Sequence, residues 1–227
     1  MNSGVKMYYI GVDLAWTTKN ETGICILEEN KCIYLESEVF TDDEIVRLIL
    51  NYQPCIVSID APLVVVNETG GRTVDSLLMK TCIHNRYLKL YATSRSYMLK
   101  TFKVIRGENI LKKLPDFELG KTIVETYPTG IYLSLYPELF DCKYKLSSRN
   151  ALEKLKFNAM TLVKELNKSF EFKLDLEDIR TKKAYKHIED KLDGLLCAVN
   201  SYYLDNQQCT IWKDESGCIS LPIILNL

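Results

Sequence analysis

The sequence predicts an α/β domain whose sheet begins antiparallel and becomes parallel further along the chain. An apolar strand at residues 7–15 is followed by two segments of alternating apolar and polar residues, 22–28 and 31–40. Only Glu29-Asn30 separates these two segments, which is typical of a hairpin. Helix-like and strand-like segments then follow one another to the end of the chain, a pattern that favours parallel strands joined by helices.

The middle of the chain continues this pattern. Thr41 is a predicted N-cap with Glu44 at the capping-box position, and the helix that it opens should stop near Pro54. A buried strand at 55–63 follows. Residues 64–120 are less regular and are predicted to be an inserted helical subdomain of a single domain spanning 1–227. Within it, residues 67–72 read as a loop, and a helix is expected from residue 73 to about residue 90.

The last part of the chain predicts one more core strand, two helices and a closing pair of strands. Residues 122–127 (TIVETY) form the strand, which Pro128 ends. The helices are expected at 148–168 and 186–204, and residues 209–223 read as two short strands around a turn. With 227 residues, 47% of them hydrophobic, the chain can bury one sizeable core.

Composition excludes few functions. The formal net charge is -1, so no global basic field indicates nucleic-acid binding, although residues 63–120 hold ten Lys and Arg against five Asp and Glu, a local charge of +5. The eight cysteines form no CxxC pair, which predicts reduced thiols rather than structural zinc. Neither a signal peptide nor a membrane-spanning run is recognisable, so we expect a cytoplasmic protein without a membrane partner.

Acidic residues interrupt three otherwise apolar strands: Asp13, Asp60 and Glu125. Burying an unpaired carboxylate is expensive, so these positions require a partner. Asp190 and Asp193 are three residues apart and share one face of the last predicted helix. Ligands of open α/β sheets bind outside the carboxyl ends of the strands, where these acids are expected to meet.

Gathered carboxylates either keep protons or bind a cation, and hard oxygen donors favour Mg²⁺ or Mn²⁺. Ordinary structural roles remain open for each acid taken alone. Asp60 has the position of a cap, Asp190 that of a solvated helix residue, and Glu125 has a candidate ion-pair partner in Arg72. The two histidines, His84 and His187, are interpreted as structural or surface groups. The sequence contains no Gly-rich phosphate loop, GxSxG elbow or Cys/His nucleophile motif.

Five segments, taken in order and spacing, resemble the DUF429 family, a group of predicted nucleases with a ribonuclease H-like, RuvC-like fold. They are YYIGVDLAW (8–16), IVSIDAPL (56–63), GGRTVDSLL (70–78), IVETYPTGIY (123–132) and DKLDGLLCAVNSYY (190–203). The closing segment 209–223 also looks like the family's last strand pair. In RuvC-type resolvases of the wider superfamily, the last helix carries a similar acid-x-x-acid pair.

The resemblance implies a mixed five-stranded sheet flanked by helices, with its first three strands antiparallel. It also implies a catalytic set around Mg²⁺ or Mn²⁺, in which Glu125 lies near four metal ligands: Asp13, Asp60, Asp190 and Asp193. Arg72 and Asp75 match an R-x-x-D element that is expected to touch substrate or to orient the acids, although for Arg72 a purely structural ion pair is equally open.

The predicted function is therefore a metal-dependent nuclease. The basic segment would follow a phosphate backbone and offers aromatic side chains for base stacking: Tyr87, Tyr91, Tyr97 and Phe102. Packing within the subdomain is the alternative role of these rings. A non-catalytic or regulatory domain on the same scaffold is the main alternative function. A nucleotide-binding phosphotransferase is less favoured, because no glycine follows Asp13 until Gly23. DNA or RNA as substrate, and a homodimer, are left open.

Overall fold

The structure is a computed structural model that describes residues 6–147 and 149–223. Its strands are β1 (Tyr8–Asp13), β2 (Thr22–Glu28), β3 (Lys31–Glu38), β4 (Ile56–Ile59), β5 (Cys82–Ile83), β6 (Arg86–Tyr87), β7 (Ile123–Glu125), β8 (Thr210–Asp214) and β9 (Gly217–Leu221). Its helices are α1 (Asp42–Tyr52), α2 (Thr73–Lys80), α3 (Arg95–Phe102), α4 (Arg106–Lys112), α5 (Pro128–Leu135), α6 (Leu152–Leu166) and α7 (Lys182–Asp205), with a 3₁₀ turn at Pro137–Leu139. No helix within the described residues is long and apolar enough to cross a membrane.

The main sheet is mixed and has seven strands, in the order β3-β2-β1-β4-β7-β9-β8. The first three strands are antiparallel, as predicted. Strands β4, β7 and β9 continue parallel to β1, and β8 pairs antiparallel with β9 at the far edge. The expectation of five strands was therefore wrong. The closing strand pair joins the main sheet, because all five residues of β9 are buried between β7 and β8.

A helix from residue 73 to about residue 90 was also predicted, and the structure corrects it. Helix α2 ends at Lys80, and the ribbon of β5 and β6 follows. Between these two strands, His84 and Asn85 have left-handed φ angles of 46° and 60°, as two consecutive residues of a tight hairpin turn do. Apolar spacing alone does not reveal such a turn.

The predicted capping box at the start of α1 is confirmed. The Glu44 backbone N–H donates to Thr41 Oγ1 at 3.2 Å, and the Thr41 N–H donates back to the Glu44 carboxylate at 2.8 Å. The helix packs its buried face, which includes Ile45 and Ile49, onto one side of the sheet. Its start is thereby fixed next to the loop that follows β1.

The two faces of β1 have different neighbours, and this places Asp13. Side chains alternate along a strand, so Ile10 and Val12 point to the core layer shared with α1, whereas Gly11 points to α7. Asp13 has the same parity as Gly11. Its carboxylate therefore belongs to the α7 face of the sheet.

Helix α7 lies on β1 and β2 at backbone contact distance, which requires glycine at the crossing. A Cβ atom built on Gly11 would lie 2.0 Å from the backbone nitrogen of Ala198, and one on Gly23 would lie 1.8 Å from the carbonyl oxygen of Asp190. The missing side chains allow α7 to come close enough to place its acids beside Asp13.

Replacing Gly11 by alanine should lower the free energy of unfolding by at least about 2 kcal/mol, because the new methyl group overlaps backbone atoms that cannot move independently. Chemical denaturation measures this change. The matched control is Gly71→Ala, where the nearest atom lies 3.9 Å from the new Cβ, and no loss of stability is expected there. Equal stability of the two variants would contradict the close approach of α7.

Candidate functional site

A cleft of about 440 Å³ opens at the carboxyl ends of β1, β4 and β7, which is where ligands of α/β sheets bind. Its wall includes most of the predicted site residues: Asp13, Asp60, Arg72, Asp75, Glu125 and Asp190. Lys145 and Lys186 line it as well, and the aromatic rings of Trp16, Tyr91 and Tyr127 lie along the same wall. The fold thus brings residues from the whole length of the chain into one cleft.

Two aspartates come from neighbouring parallel strands. Asp13 is the last residue of β1, and Asp60 directly follows β4. The Asp60 backbone N–H donates to the carbonyl of Val12 at 2.8 Å, which ties the two strand ends together. Two residues before Asp60, Ser58 is hydrogen-bonded to Ser201 of α7 at 2.8 Å, so Asp60 also points to the α7 face.

The other two aspartates come from α7, where both are buried. Asp193 is held by two neighbouring residues of the loop before α6. Tyr144 Oη and Lys145 Nζ each donate to one carboxylate oxygen of Asp193 at 2.6 Å. Asp190 accepts an ion pair from Lys186 Nζ at 2.6 Å. Both acids therefore have cationic partners of their own, unlike Asp13.

The carboxyl groups of this site retain protons more strongly than free aspartate. Burial raises the pKa of Asp13 well above its ordinary value, and the negative charges of Asp193 and Asp60 raise it further. Burial raises the pKa of Asp60 to about 7, although Lys145 opposes this shift. Burial also raises the pKa of Asp190, against the effect of Lys186. Cation binding would relieve this crowding of negative charge.

Without a divalent cation, the protein should lose stability as the pH rises from about 4 to about 7. In this window the folded protein keeps a proton on Asp60, whose pKa is about 7, while the unfolded chain, with an ordinary value near 3.8, has released it. Folding is therefore favoured by protons, and the free energy of unfolding falls with increasing pH. Urea denaturation in EDTA at pH 5 and pH 8 measures the slope.

The control for this experiment is Asp60→Asn, which removes one of the titrating groups and should make the dependence on pH less steep. An identical slope in wild type and Asp60→Asn would contradict the raised pKa of Asp60. Addition of Mg²⁺ at pH 8 should restore stability if the aspartates bind the ion.

Glu125 occupies a different position from the aspartates. It pairs in register with Ile59 on β4, so its side chain points to the face opposite Asp13 and Asp60. There it accepts hydrogen bonds from the backbone N–H of Leu63 and from Arg72 Nη1, both at 2.9 Å, and forms an ion pair with Arg72 Nη2 at 2.7 Å. The ion pair between Glu125 and Arg72 that the sequence left open is present.

Arg72 is buried, and each of its three guanidinium nitrogens donates to at least one acceptor. Besides Glu125, it donates to both carboxylate oxygens of Asp75, at 2.6 and 3.1 Å, and to the carbonyls of Val64 and Ser216. Each guanidinium nitrogen is thus already engaged by a protein group. Of the two roles expected for the R-x-x-D element, the geometry favours orientation of the acids.

Sequence reasoning missed the cationic half of the site. Lys145 and Tyr144 lie in the short segment KYKL, in irregular structure without periodicity, and Lys186 is one of several lysines at the start of α7. No pattern distinguishes them from surface residues. The two histidines do not line the cleft: His84 contacts the carbonyl of Ser134, and His187 pairs with Glu21 at 2.9 Å.

The donor set suits a hard divalent cation, because the converging side chains offer carboxylate oxygens and neither thiolate nor imidazole. Within the described residues, however, no group of three or more His, Cys, Asp or Glu side chains is already arranged to hold a metal ion. Instead, Lys145 forms an ion pair with Asp193, and Lys186 forms one with Asp190. The residues fit Mg²⁺ or Mn²⁺ in chemistry, with these two lysines as competitors for the same oxygens.

Comparison with known proteins identifies a family but no characterised relative. No curated protein and no solved structure matches the chain. A family model described as a protein of unknown function, DUF429, matches residues 11–216. This range includes every predicted site residue and both lysines of the cleft. The protein therefore belongs to the DUF429 family.

Proposed function

We propose that the protein is a hydrolase that cleaves phosphodiester bonds in nucleic acid with the help of Mg²⁺ or Mn²⁺. One observation carries this proposal: aspartates from β1, from the end of β4 and from α7 converge in a cleft that contains too little positive charge to balance them. The ribonuclease H-like fold implied by the sequence resemblance is part of the proposal. A mixed sheet with three antiparallel strands followed by parallel ones is compatible with that fold.

The charge balance of the cleft supports a cation of charge two or more. Four aspartates face Lys145 and Lys186, and Lys186 is shared with Glu189 at 2.9 Å. Arg72 contributes no positive charge to the four aspartates, because its own partners, Asp75 and Glu125, together carry more negative charge than it can balance. Fully ionised, the site would carry at least two uncompensated negative charges, which either protons or a divalent ion must offset.

In this proposal Asp13, Asp60, Asp190 and Asp193 hold the ions. Divalent ions bound at these aspartates would supply Lewis-acid activation of the attacking water and of the phosphoryl oxygen. Lys145 and Lys186 lie on the same wall and attract the phosphate backbone. Arg72 fixes Glu125 and Asp75, and the bond from the Leu63 N–H to Glu125 fixes the chain that follows Asp60.

The test is cleavage of single-stranded, duplex and branched DNA and of RNA by purified protein in Mg²⁺ or Mn²⁺. We expect shortened nucleic-acid products from at least one of these substrates, and no such products in EDTA. Absence of cleavage with all these substrates would contradict the proposal. Activity that survives EDTA would point to metal-free chemistry instead.

A non-catalytic nucleic-acid-binding domain is the second candidate, and the ion pair between Lys145 and Asp193 is the observation that favours it. In that case lysine permanently replaces the metal. Titration with Mn²⁺, followed by the paramagnetic relaxation of water protons, separates the two functions. Stoichiometric Mn²⁺ binding that is lost in Asp193→Asn supports the hydrolase, and absence of binding supports the binding domain.

A further inference from the structure

The indole ring of Trp16 is exposed in the cleft wall. Trp16 lies in the loop after β1, three residues beyond Asp13, and 40% of its surface is accessible. Its ring stacks on that of Phe102, with centroids 5.2 Å apart and 23° between the planes. Phe102 does not line the cleft, so it covers the far face of the indole and leaves the other face to the cleft.

The loop that carries Trp16 is held rigidly. Arg106 of α4 is buried and donates to the carbonyls of both neighbours of Trp16, Ala15 at 2.9 Å and Thr17 at 3.3 Å. Its remaining donors go to Asp42 at 2.7 Å and to the carbonyl of Phe40 at 2.8 Å. A buried arginine with four such anchors fixes the indole before any ligand arrives, which lowers the entropy lost on binding.

Two exposed lysines lie close to Phe102 along the chain. Lys100 and Lys103 flank Phe102 on α3 and at its end, both are exposed, and neither forms an ion pair with any residue that the structure describes. On the cleft wall, the ring of Tyr91 is 88% exposed. An aromatic face with unpaired lysines nearby matches the chemistry of a nucleotide: a flat base and an anionic backbone.

We propose that Trp16, backed by Phe102, stacks an unpaired nucleobase and thereby makes single-stranded nucleic acid the ligand of the cleft. In a duplex each base is already covered on both faces by its neighbours, so it cannot stack on the indole unless it is extruded. The platform lies close to Asp13, so a stacked base would leave its phosphate near the aspartates. This inference rests on the proposed function for the identity of the polymer, but it concerns binding and not cleavage.

Tryptophan fluorescence tests the inference directly, because the protein has two tryptophans with different environments. Trp212 is buried and donates its indole N–H to Thr81 at 2.9 Å, so it serves as an unresponsive reference. The full chain carrying Asp13→Asn is titrated in Mg²⁺, so that no strand is cut. The probes are a 12-nucleotide oligothymidylate, the corresponding oligouridylate and a blunt DNA duplex of equal length.

We expect the single strands to quench Trp16 emission and to bind at least tenfold more tightly than the duplex. Trp16→Ala should weaken single-strand binding roughly tenfold, as measured by anisotropy of a labelled oligomer, and Trp16→Phe should retain most of the affinity. Phe157→Ala is the matched control, since Phe157 is 68% exposed on α6, outside the cleft, and its loss should change nothing.

Three outcomes would overturn the inference: no binding of any single strand, duplex binding as tight as single-strand binding, or unchanged affinity in Trp16→Ala. Failure of the proposed function is a separate result. Single-strand binding that depends on Trp16, without cleavage by the wild-type protein, leaves the platform intact and removes the hydrolase. Cleavage by the wild-type protein, together with unchanged affinity in Trp16→Ala, supports the hydrolase and overturns the stacking platform.

Discussion

Replacing Asp13 by asparagine should reduce metal-dependent cleavage of phosphodiesters at least about 100-fold. Among the four aspartates, Asp190 and Asp193 are ion-paired with lysines, whereas Asp13 has no such pair in the described structure and is crowded by the negative charges of Asp193 and Asp60, so its carboxylate gains much from a cation. The amide is nearly the same size but has no negative charge, and a divalent ion would be held much less tightly. The measurement is the initial rate of cleavage in Mg²⁺ and in Mn²⁺.

This prediction has a control for charge and a control for folding. Asp178→Asn removes an equally charged side chain that is 93% exposed, and its rate should match that of wild type. In EDTA at pH 8, Asp13→Asn should be at least as stable as wild type, because it removes repulsion from Asp60 and Asp193. Undiminished cleavage by a folded Asp13→Asn protein would exclude Asp13 as a metal ligand.

Replacing Arg72 by methionine should lower the free energy of unfolding by about 3–5 kcal/mol. The guanidinium is buried and is the ion-pair partner of two buried carboxylates, Asp75 and Glu125, at 2.6 and 2.7 Å. Methionine fills much of the volume but leaves both acids buried without a counter-charge, which is among the most damaging single changes in a protein interior. Urea denaturation at pH 7 measures the loss.

Two further variants separate charge from packing. Arg180→Met removes an exposed arginine whose ion pair with Asp178 spans 3.5 Å, and it should change stability by less than about 0.5 kcal/mol. The double variant Arg72→Met/Glu125→Gln should recover part of the loss, because one of the stranded charges is gone. A single Arg72→Met variant as stable as wild type would show that the ion pairs are not important for the fold.

The parts of the fold that sequence predicts well are those with strong local signals. The hairpin of β2 and β3, the capping box of α1 and the long apolar face of α7 all depend on neighbouring residues. The acids Asp13 and Asp60 could be found because each interrupts an apolar run. The two extra strands of the sheet could not be counted, because the pairing of β9 with β7 is a long-range contact that leaves no local pattern.

The electrostatic partners within the site were harder to foresee for a related reason. Lys145 reaches Asp193 from a segment whose sequence is indistinguishable from an ordinary polar loop. Glu125 shared the apolar context of the aspartates, yet its register with Ile59 turns it to the opposite face. A shift of one residue in strand register reverses the face of a side chain, and composition does not determine register.

The crossing of α7 over β1 also governs when the site exists during synthesis of the chain. The hydrogen bond from Ser201 to the carbonyl of Ile10 joins residues 191 positions apart. Helix α7 can therefore pack on β1 only after almost the entire chain has been synthesised. Contacts of such long range form late in folding. A nascent or truncated chain that ends before α7 contains Asp13 and Asp60 but not Asp190 or Asp193. Such a chain should be inert, and only a completed protein would acquire the site.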